Sequence, residues 1–377
     1  LEKKRKLQNV EYSILNDLNP EDLIELRRVL GWKEISYDQF KKGLENTMFK
    51  VSIKDDGNYE IVLQKGTYNE NYINYNGPAT IKIKGDTDAK YGADVIITGH
   101  GTSMGQERGR ELLEFQGSGN LILENLTLLS DYSRETVKGD AQAEVLGYDG
   151  TGYVAAYNCG FKSHQDTMRT TGKCWFYKCY VEGDTDFIWM ESAGIVALYE
   201  ECEIVSVYDE FASTHASYVL APRATVGNTM GKGAVIYNST LELKELQETF
   251  LFRNPWGNNK DYYNQGAFVN VTVTGNGTMN ADLAKSDAMG TTDQKYVGWK
   301  IDEDLAATYG AKKASIGVID ADLEAKEYSG RRAILNRNYS VKFAKFLKDS
   351  ESYFDVDAVI AEQGWTVTED TSKTLLD

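Results

Sequence analysis

From about residue 50 onward, short apolar stretches alternate with Gly, Asn and Asp turns. Tyr59-Glu60-Ile61-Val62-Leu63, Thr80-Ile81-Lys82-Ile83-Lys84, Val95-Ile96-Ile97 and the longer run Leu121 to Leu128 each read as a strand. Ala234-Val235-Ile236-Tyr237-Asn238 and the run Ala267 to Val273 read the same way. Such runs are too short and too regularly broken for a doubly wound sheet. The preceding segment differs. Leu15, Leu18, Leu23, Leu26, Val29, Leu30, Phe40, Leu44 and Met48 follow helical spacing, and Asn19-Pro20-Glu21-Asp22 has the Pro and acids of a helix start. Residues 1–50 are therefore expected to form a helical cap over an exposed sheet edge. Residues 51–335 are expected to form the strand-rich body, with long polar loops over 275–325. Residues 336–377 are expected to be a helical segment, with 338–363 packed on the outside.

Within the body the pattern repeats. Val154-Ala155-Ala156-Tyr157-Asn158-Cys159, Cys174-Trp175-Phe176-Tyr177-Lys178-Cys179 and Val196-Ala197-Leu198-Tyr199-Glu200-Glu201-Cys202 are variants of one unit, with cysteines recurring at steps of 20 and 23. A period in this range marks a solenoid with one turn per repeat. The fold expected is all-β, a right-handed parallel β-helix. Stacked turns place equivalent positions about 4.8 Å apart. Cys159, Cys179 and Cys202 then form an interior ladder of small side chains, with a Cys179–Cys202 disulfide as the alternative. Asn125, Asn158 and Asn238 recur near strand ends, where stacked amides can bridge turns.

Charge narrows the partners. The 377 residues carry a formal net charge of −16, which argues against nucleic acid. It also disfavours a strongly anionic polymer unless basic residues line the groove, so a neutral or partly neutralised polysaccharide fits better. Lys3-Lys4-Arg5-Lys6 reads as a solvated terminus. No apolar run is long enough to span a membrane. The chain starts at Leu1 without a signal-like stretch, as expected of a mature or trimmed form. With three histidines and no Cys-x-x-Cys pair, no metal or cofactor is expected.

The period also brings chemistry together. Gln165-Asp166-Thr167-Met168 and Gly183-Asp184-Thr185-Asp186-Phe187-Ile188-Trp189 hold Asp166 and Asp186 20 residues apart in matching frames, and Gln142 precedes Gln165 by 23. One face is thus expected to gather Gln142, Gln165, Asp166 and Asp186. Two close carboxylates do not both ionise easily, which yields an acid beside a base or nucleophile. The glutamine amides can donate to a developing oxyanion. Arg253 can hold one carboxylate ionised, and Trp256 offers a face for a sugar ring. These residues suit attack on an ester or glycoside hydrolysis by a carboxylate pair.

Gln142-Ala143-Glu144-Val145, the two aspartate motifs and Arg253-Asn254-Pro255-Trp256 occur in the order seen in pectin methylesterases, and Gly66-Thr67-Tyr68-Asn69-Glu70 resembles that family's early signature. The resemblance covers roughly residues 60–260. It implies a parallel β-helix that removes methyl esters from galacturonate units of pectin without a metal. It also implies roles: Asp186 as nucleophile, Asp166 as acid and then base, Gln142 and Gln165 as oxyanion donors, Arg253 as partner of the nucleophile, and Trp256 in the groove. The chain departs from the pattern where Asn254 is inserted between Arg253 and Pro255, where Trp189-Met190 replaces Phe-Gly, and where Met168 replaces leucine. Trp189 and Met190 are expected at the groove floor, with altered subsite preference as the result. The alternatives are a pectin-active β-helix enzyme that cuts the glycosidic bond, and a non-catalytic polysaccharide-binding β-helix. The polymer substrate implies a secreted or periplasmic protein, and a monomer is expected.

Other features have plainer readings. Gly101-Thr102-Ser103-Met104-Gly105 matches a serine-hydrolase elbow, but a further strand rather than a helix follows it, so a surface loop is expected. Among the histidines, His164 beside Gln165 and Asp166 is the candidate substrate contact. Tyr148, Tyr153 and Tyr218 are candidates to reach sugar rings. Asp184 and Asp186 are expected on opposite faces and do not share a metal.

Overall fold

A computed structural model describes residues 36–38, 49–53, 58–104, 106, 109–135, 142–212, 216–222, 224–225, 232–244, 248–253, 262–263, 265–285, 298–310, 316–319, 325–336 and 353–374. The chain winds as a parallel β-helix with three faces. The first face stacks Ile73–Asn76, Leu113–Gln116, Leu146–Tyr148, the starts of Met168–Tyr177 and Ile188–Glu200, then Ala216–Pro222 and Glu248–Arg253. The second stacks Tyr59–Leu63, Ile81–Gly85, Leu121–Glu124, Tyr153–Tyr157, the ends of the same two long strands, Gly233–Tyr237, Gln265–Val269 and Gly298–Ile301. The third is an eight-stranded sheet running from Gly66–Asn69 to Thr272–Gly275. The two long strands pass from the first face to the second, with a register irregularity at Gly172.

The strands expected over 121–128 and 267–273 are each two strands. Leu121–Glu124 and Thr127–Ser130 are separated at Asn125, and Gln265–Val269 and Thr272–Gly275 at Asn270. Both asparagines adopt positive φ, 54° and 52°, and turn the chain from the second face to the third. Asparagine tolerates this left-handed conformation because its short side chain bonds locally. Here it bonds along the stack. Asn158 Nδ2 donates to Asn125 Oδ1 at 2.8 Å, and Asn270 Nδ2 donates to Asn238 Oδ1 at 2.6 Å. Apolar periodicity continues through each corner, so it could not locate the break.

The interior is a continuous apolar column. Phe161 meets Phe176 edge-on with centroids 5.6 Å apart, and Phe176 stacks on Tyr199 at 4.7 Å. Cys159, Cys179 and Cys202 lie buried in this column, and all four cysteines are free thiols. Rather than pairing, the Cys179 and Cys202 thiols lean on backbone carbonyls: Cys179 Sγ lies 3.4 Å from the Tyr177 oxygen, and Cys202 Sγ lies 3.3 Å from that of Phe176. Burial pushes the Cys179 thiol well above its ordinary range.

The second face is covered from outside. Ile334, Leu335, Phe354, Val356, Val359 and Trp365 pack on Trp175, Tyr177 and Leu198. Four of them come from helices α2 (Arg331–Leu335) and α3 (Val356–Gln363). Arg331 forks onto Glu200 at 2.9 Å, and Glu200 also accepts from Trp175 Nε1 at 2.9 Å. Within 275–325, expected as loops, the chain instead forms the strand Gly298–Ile301 and helix α1 (Glu303–Tyr309). Asp302 caps α1 by accepting from Leu305 N at 2.8 Å. The helical spacing at 8–35 and 39–48 lies outside the described residues.

Candidate active site

The site lies where the third face turns into the first. Gln142 bridges Gln165 in parallel, and Met168 stands opposite Ile188, a register that carries back to Asp166 opposite Asp186. Asp166 N also donates to Thr185 O at 2.9 Å. Both aspartates hold positive φ, 58° and 50°, so their carboxyls leave the chain at the same angle one turn apart. The glycine of the second motif is required. A Cβ at Gly183 would lie 2.2 Å from Phe187 Cβ, and the buried Phe187 anchors the loop that presents Asp186.

The two carboxyls have different neighbours. Asp186 accepts from Arg253 Nη1 at 3.3 Å on both oxygens. Burial raises its pKa to about 6, against the lowering pull of Arg253. Asp166 is only 2% exposed and accepts from Arg110 Nη2 at 3.2 Å. Burial and the nearby Glu144 carboxylate push it well above the usual range, and Asp186 adds to the push. Near neutral pH this favours an ionised Asp186 beside a protonated Asp166.

Several site groups were invisible in the motif reading. Arg110 forks onto Glu144 with its Nε 2.8 and 2.7 Å from the two oxygens, and donates to Gln142 Oε1 at 2.7 Å. Arg134 binds Asp184, reaches Asp209 at 2.8 Å, and donates to Gln165 Oε1 at 3.2 Å. The one signal was charge within apolar runs, as in Arg110-Glu111-Leu112-Leu113-Glu114-Phe115. Tyr218 is 6% exposed, stacks on Phe250, and lies 4.2 Å beneath the Arg253 guanidinium. It therefore supports Arg253.

The remaining candidates divide. His164 has its ring beside the site, with Nδ1 3.8 Å from Asp184 and 3.7 Å from Asp209. These three donor groups lie within 4.8 Å of one another, but Arg134 donates into both carboxylates and supplies the positive charge there. Trp189 faces Arg110, whose guanidinium lies 5.5 Å from the indole. Met190 and Tyr148 were expected in the groove and are not there. Both are fully buried in the apolar column, since odd and even positions of a strand face opposite ways and these two point inward. Tyr148 stacks on Phe115 at 5.7 Å. Tyr153 lies on the second face against Phe354. Asp184 and Asp186 are separated by their arginines rather than by strand alternation, because the segment between Gly183 and Ile188 is a bend. Residues 101–104 form a loop, with the strand Leu113–Gln116 next along the chain. Asn254 and Trp256 lie outside the described residues.

The parallel β-helix thus gathers two stacked aspartates, two glutamines and an arginine at one corner. A model of the pectinesterase family matches residues 37–265, and the chain belongs to that family. A probable pectinesterase A from Neosartorya fischeri is 27% identical over 153 residues, which cover 39% of this chain and 44% of that protein. The match thus spans less than half the length of that relative. Pectin methylesterase PemA from Erwinia chrysanthemi superposes with a TM-score of 0.52 at 18% identity, over 75% of this chain and 89% of that one. A pectin methylesterase from Aspergillus niger gives a TM-score of 0.53 at 18% identity, over 74% and 88%. At these identities the superpositions show the shared fold.

Proposed function

We propose that this protein is a carboxylic ester hydrolase that removes methyl esters from galacturonate units of pectin and releases methanol. The observation that carries the reading is the unequal pair: Asp186 forked by Arg253, and Asp166 buried against Glu144 one turn below. The ionised Asp186 attacks the ester carbonyl carbon. The negative charge that develops on the carbonyl oxygen is met by the Gln142 and Gln165 amides. Asp166 gives its proton to the departing methoxy oxygen, so methanol leaves and an acyl–Asp186 anhydride remains. Asp166, now a carboxylate, takes a proton from water. The resulting hydroxide opens the anhydride to the free galacturonic acid group and the Asp186 carboxylate, with Asp166 reprotonated, and the product acid then releases its proton to solvent. Each step is assigned to a side chain, and none calls for a metal.

Other parts of the reading follow from the substrate. Trp189 and His164 are assigned to substrate contact, as is Trp256. A polymer of plant cell walls implies an extracellular or periplasmic protein, acting as a monomer. The test is to incubate the protein with highly methylated pectin, following methanol and polymer length in the same tubes. Methanol with unchanged chain length is the expected result. New reducing ends and a shortened polymer would replace the esterase with a chain-cutting enzyme. Binding without either would leave a polysaccharide-binding β-helix.

A further inference from the structure

Both glutamines of the site meet arginines. Arg110 Nη1 donates to Gln142 Oε1 and Arg134 Nη2 donates to Gln165 Oε1. A guanidinium has donors only, so it can meet only the oxygen end of an amide. Each contact therefore fixes which way its amide is turned and leaves the NH2 end for another acceptor. The arginines are held in turn. Glu144 takes a fork from Arg110, while Asp184 and Asp209 both accept from Arg134. These groups are buried: Arg110 is 3% exposed, Arg134 6%, Glu144 1%, Asp184 2% and Asp209 8%. Such burial of charge is costly unless the geometry is well satisfied, and here the satisfied groups end at the two amides.

We infer that Arg110 and Arg134 are positioning residues that turn the Gln142 and Gln165 amides N–H end toward the substrate, with Glu144, Asp184 and Asp209 holding the arginines in place. The inference rests on the esterase reading above. An amide free to flip presents its oxygen as readily as its NH2, and an oxygen facing a developing oxyanion opposes the reaction. Donors fixed beforehand avoid that reorganisation in the transition state. On this account Asp184 and Asp209 anchor an arginine, and the His164–Asp184–Asp209 group is not a cation site.

Arg134 gives the cleaner test, because Arg110 also touches Asp166. The experiment is a double-mutant cycle of Arg134→Lys and Gln165→Ala on the full chain, measuring kcat and KM for methanol release. Lysine keeps the positive charge but lacks the fork that reaches two carboxylates and an amide together. Arg134→Lys is expected to lower kcat by about 10- to 100-fold with KM changed less than about twofold, a fraction of the loss of a whole oxyanion donor. In the Gln165→Ala background the same substitution is expected to change kcat by less than about twofold, because coupled residues are non-additive. Asp209→Asn is the second variant, expected to lower kcat by about 3- to 10-fold and again only when Gln165 is present. An unchanged kcat in Arg134→Lys, or the same loss with and without Gln165, would overturn the inference while leaving an active esterase. A parent that releases no methanol would overturn the esterase reading and the inference together.

Discussion

At the corner between the second and third faces, Asn125, Asn158, Lys178, Glu201, Asn238 and Asn270 hold φ between 48° and 54°. At the corner between the third and first faces, Asp166 and Asp186 hold 58° and 50°. The backbone solution is the same, but the side chains do opposite things. Asn158 accepts from Tyr91 N at 2.7 Å and donates to Asn125 Oδ1 and Ala89 O, so its amide is satisfied by the stack. Where the amides give way to Lys178 and Glu201, an ion pair of 3.8 Å takes their place. Amides can satisfy one another because each carries both donor and acceptor. Ionised carboxylates cannot, since each only accepts. A column of aspartates therefore needs arginines, and keeps a protonation state that depends on its surroundings. One corner uses the left-handed conformation to close the coil; the other uses it to place two unequal, buried carboxyls side by side at the site.

The largest contrast is expected in activity. Asp186→Asn removes the nucleophile and is expected to lower kcat by about 10³-fold or more. Asn158→Ala at the other corner is expected to leave kcat unchanged. Gln142→Ala comes next, with kcat reduced by about 10²- to 10³-fold and KM little altered, because an oxyanion donor acts in the transition state. The pH profile of kcat/KM sharpens the assignment. Asp186 must be ionised, so the rate is expected to climb with pH up to about 6 and then level off. It falls again where Asp166 loses its proton, and the Asp166→Asn profile should lack that falling limb.

Stability reads the comparison in reverse. Asn158→Ala places alanine in the left-handed region and removes several hydrogen bonds, at a cost of about 2–4 kcal/mol in urea unfolding. Asp186→Asn should do the opposite at neutral pH. The folded pKa of Asp186 lies above its ordinary 3.8, at about 6, so between these values the native state keeps a proton that the unfolded chain has released. That stabilisation is complete at low pH and is lost as pH rises through about 6. The ionised group then opposes folding by roughly 2–3 kcal/mol. An asparagine removes this burden but strands Arg253, so a net gain of about 1–2 kcal/mol is expected at pH 7.

Much of the fold was legible because a solenoid writes its period directly into the chain. The cysteine ladder and the match of the Asp166 and Asp186 frames both gave the turn length, and the register in the structure agrees. Corners were less legible, since Leu121 to Leu128 and Ala267 to Val273 stay apolar through Asn125 and Asn270. The site divided along the same line. Residues that repeat with the coil, such as Gln142 and Gln165, could be stacked on paper. Arg110, Arg134 and Asp209 come from separate turns without a shared motif, and only three-dimensional packing joins them. Met190 and Tyr148 were misplaced because a residue's nearness in sequence to a motif does not decide which way its strand points it.

The most direct measurement follows methanol release and thermal unfolding on the same samples of the parent and Asp186→Asn at pH 7. The account predicts that the variant loses its activity while its unfolding midpoint rises. A variant that still releases methanol at the parental rate would contradict the assignment of Asp186. Activity lost together with a lower midpoint would contradict the claim that this corner holds a carboxylate ionised at the expense of stability.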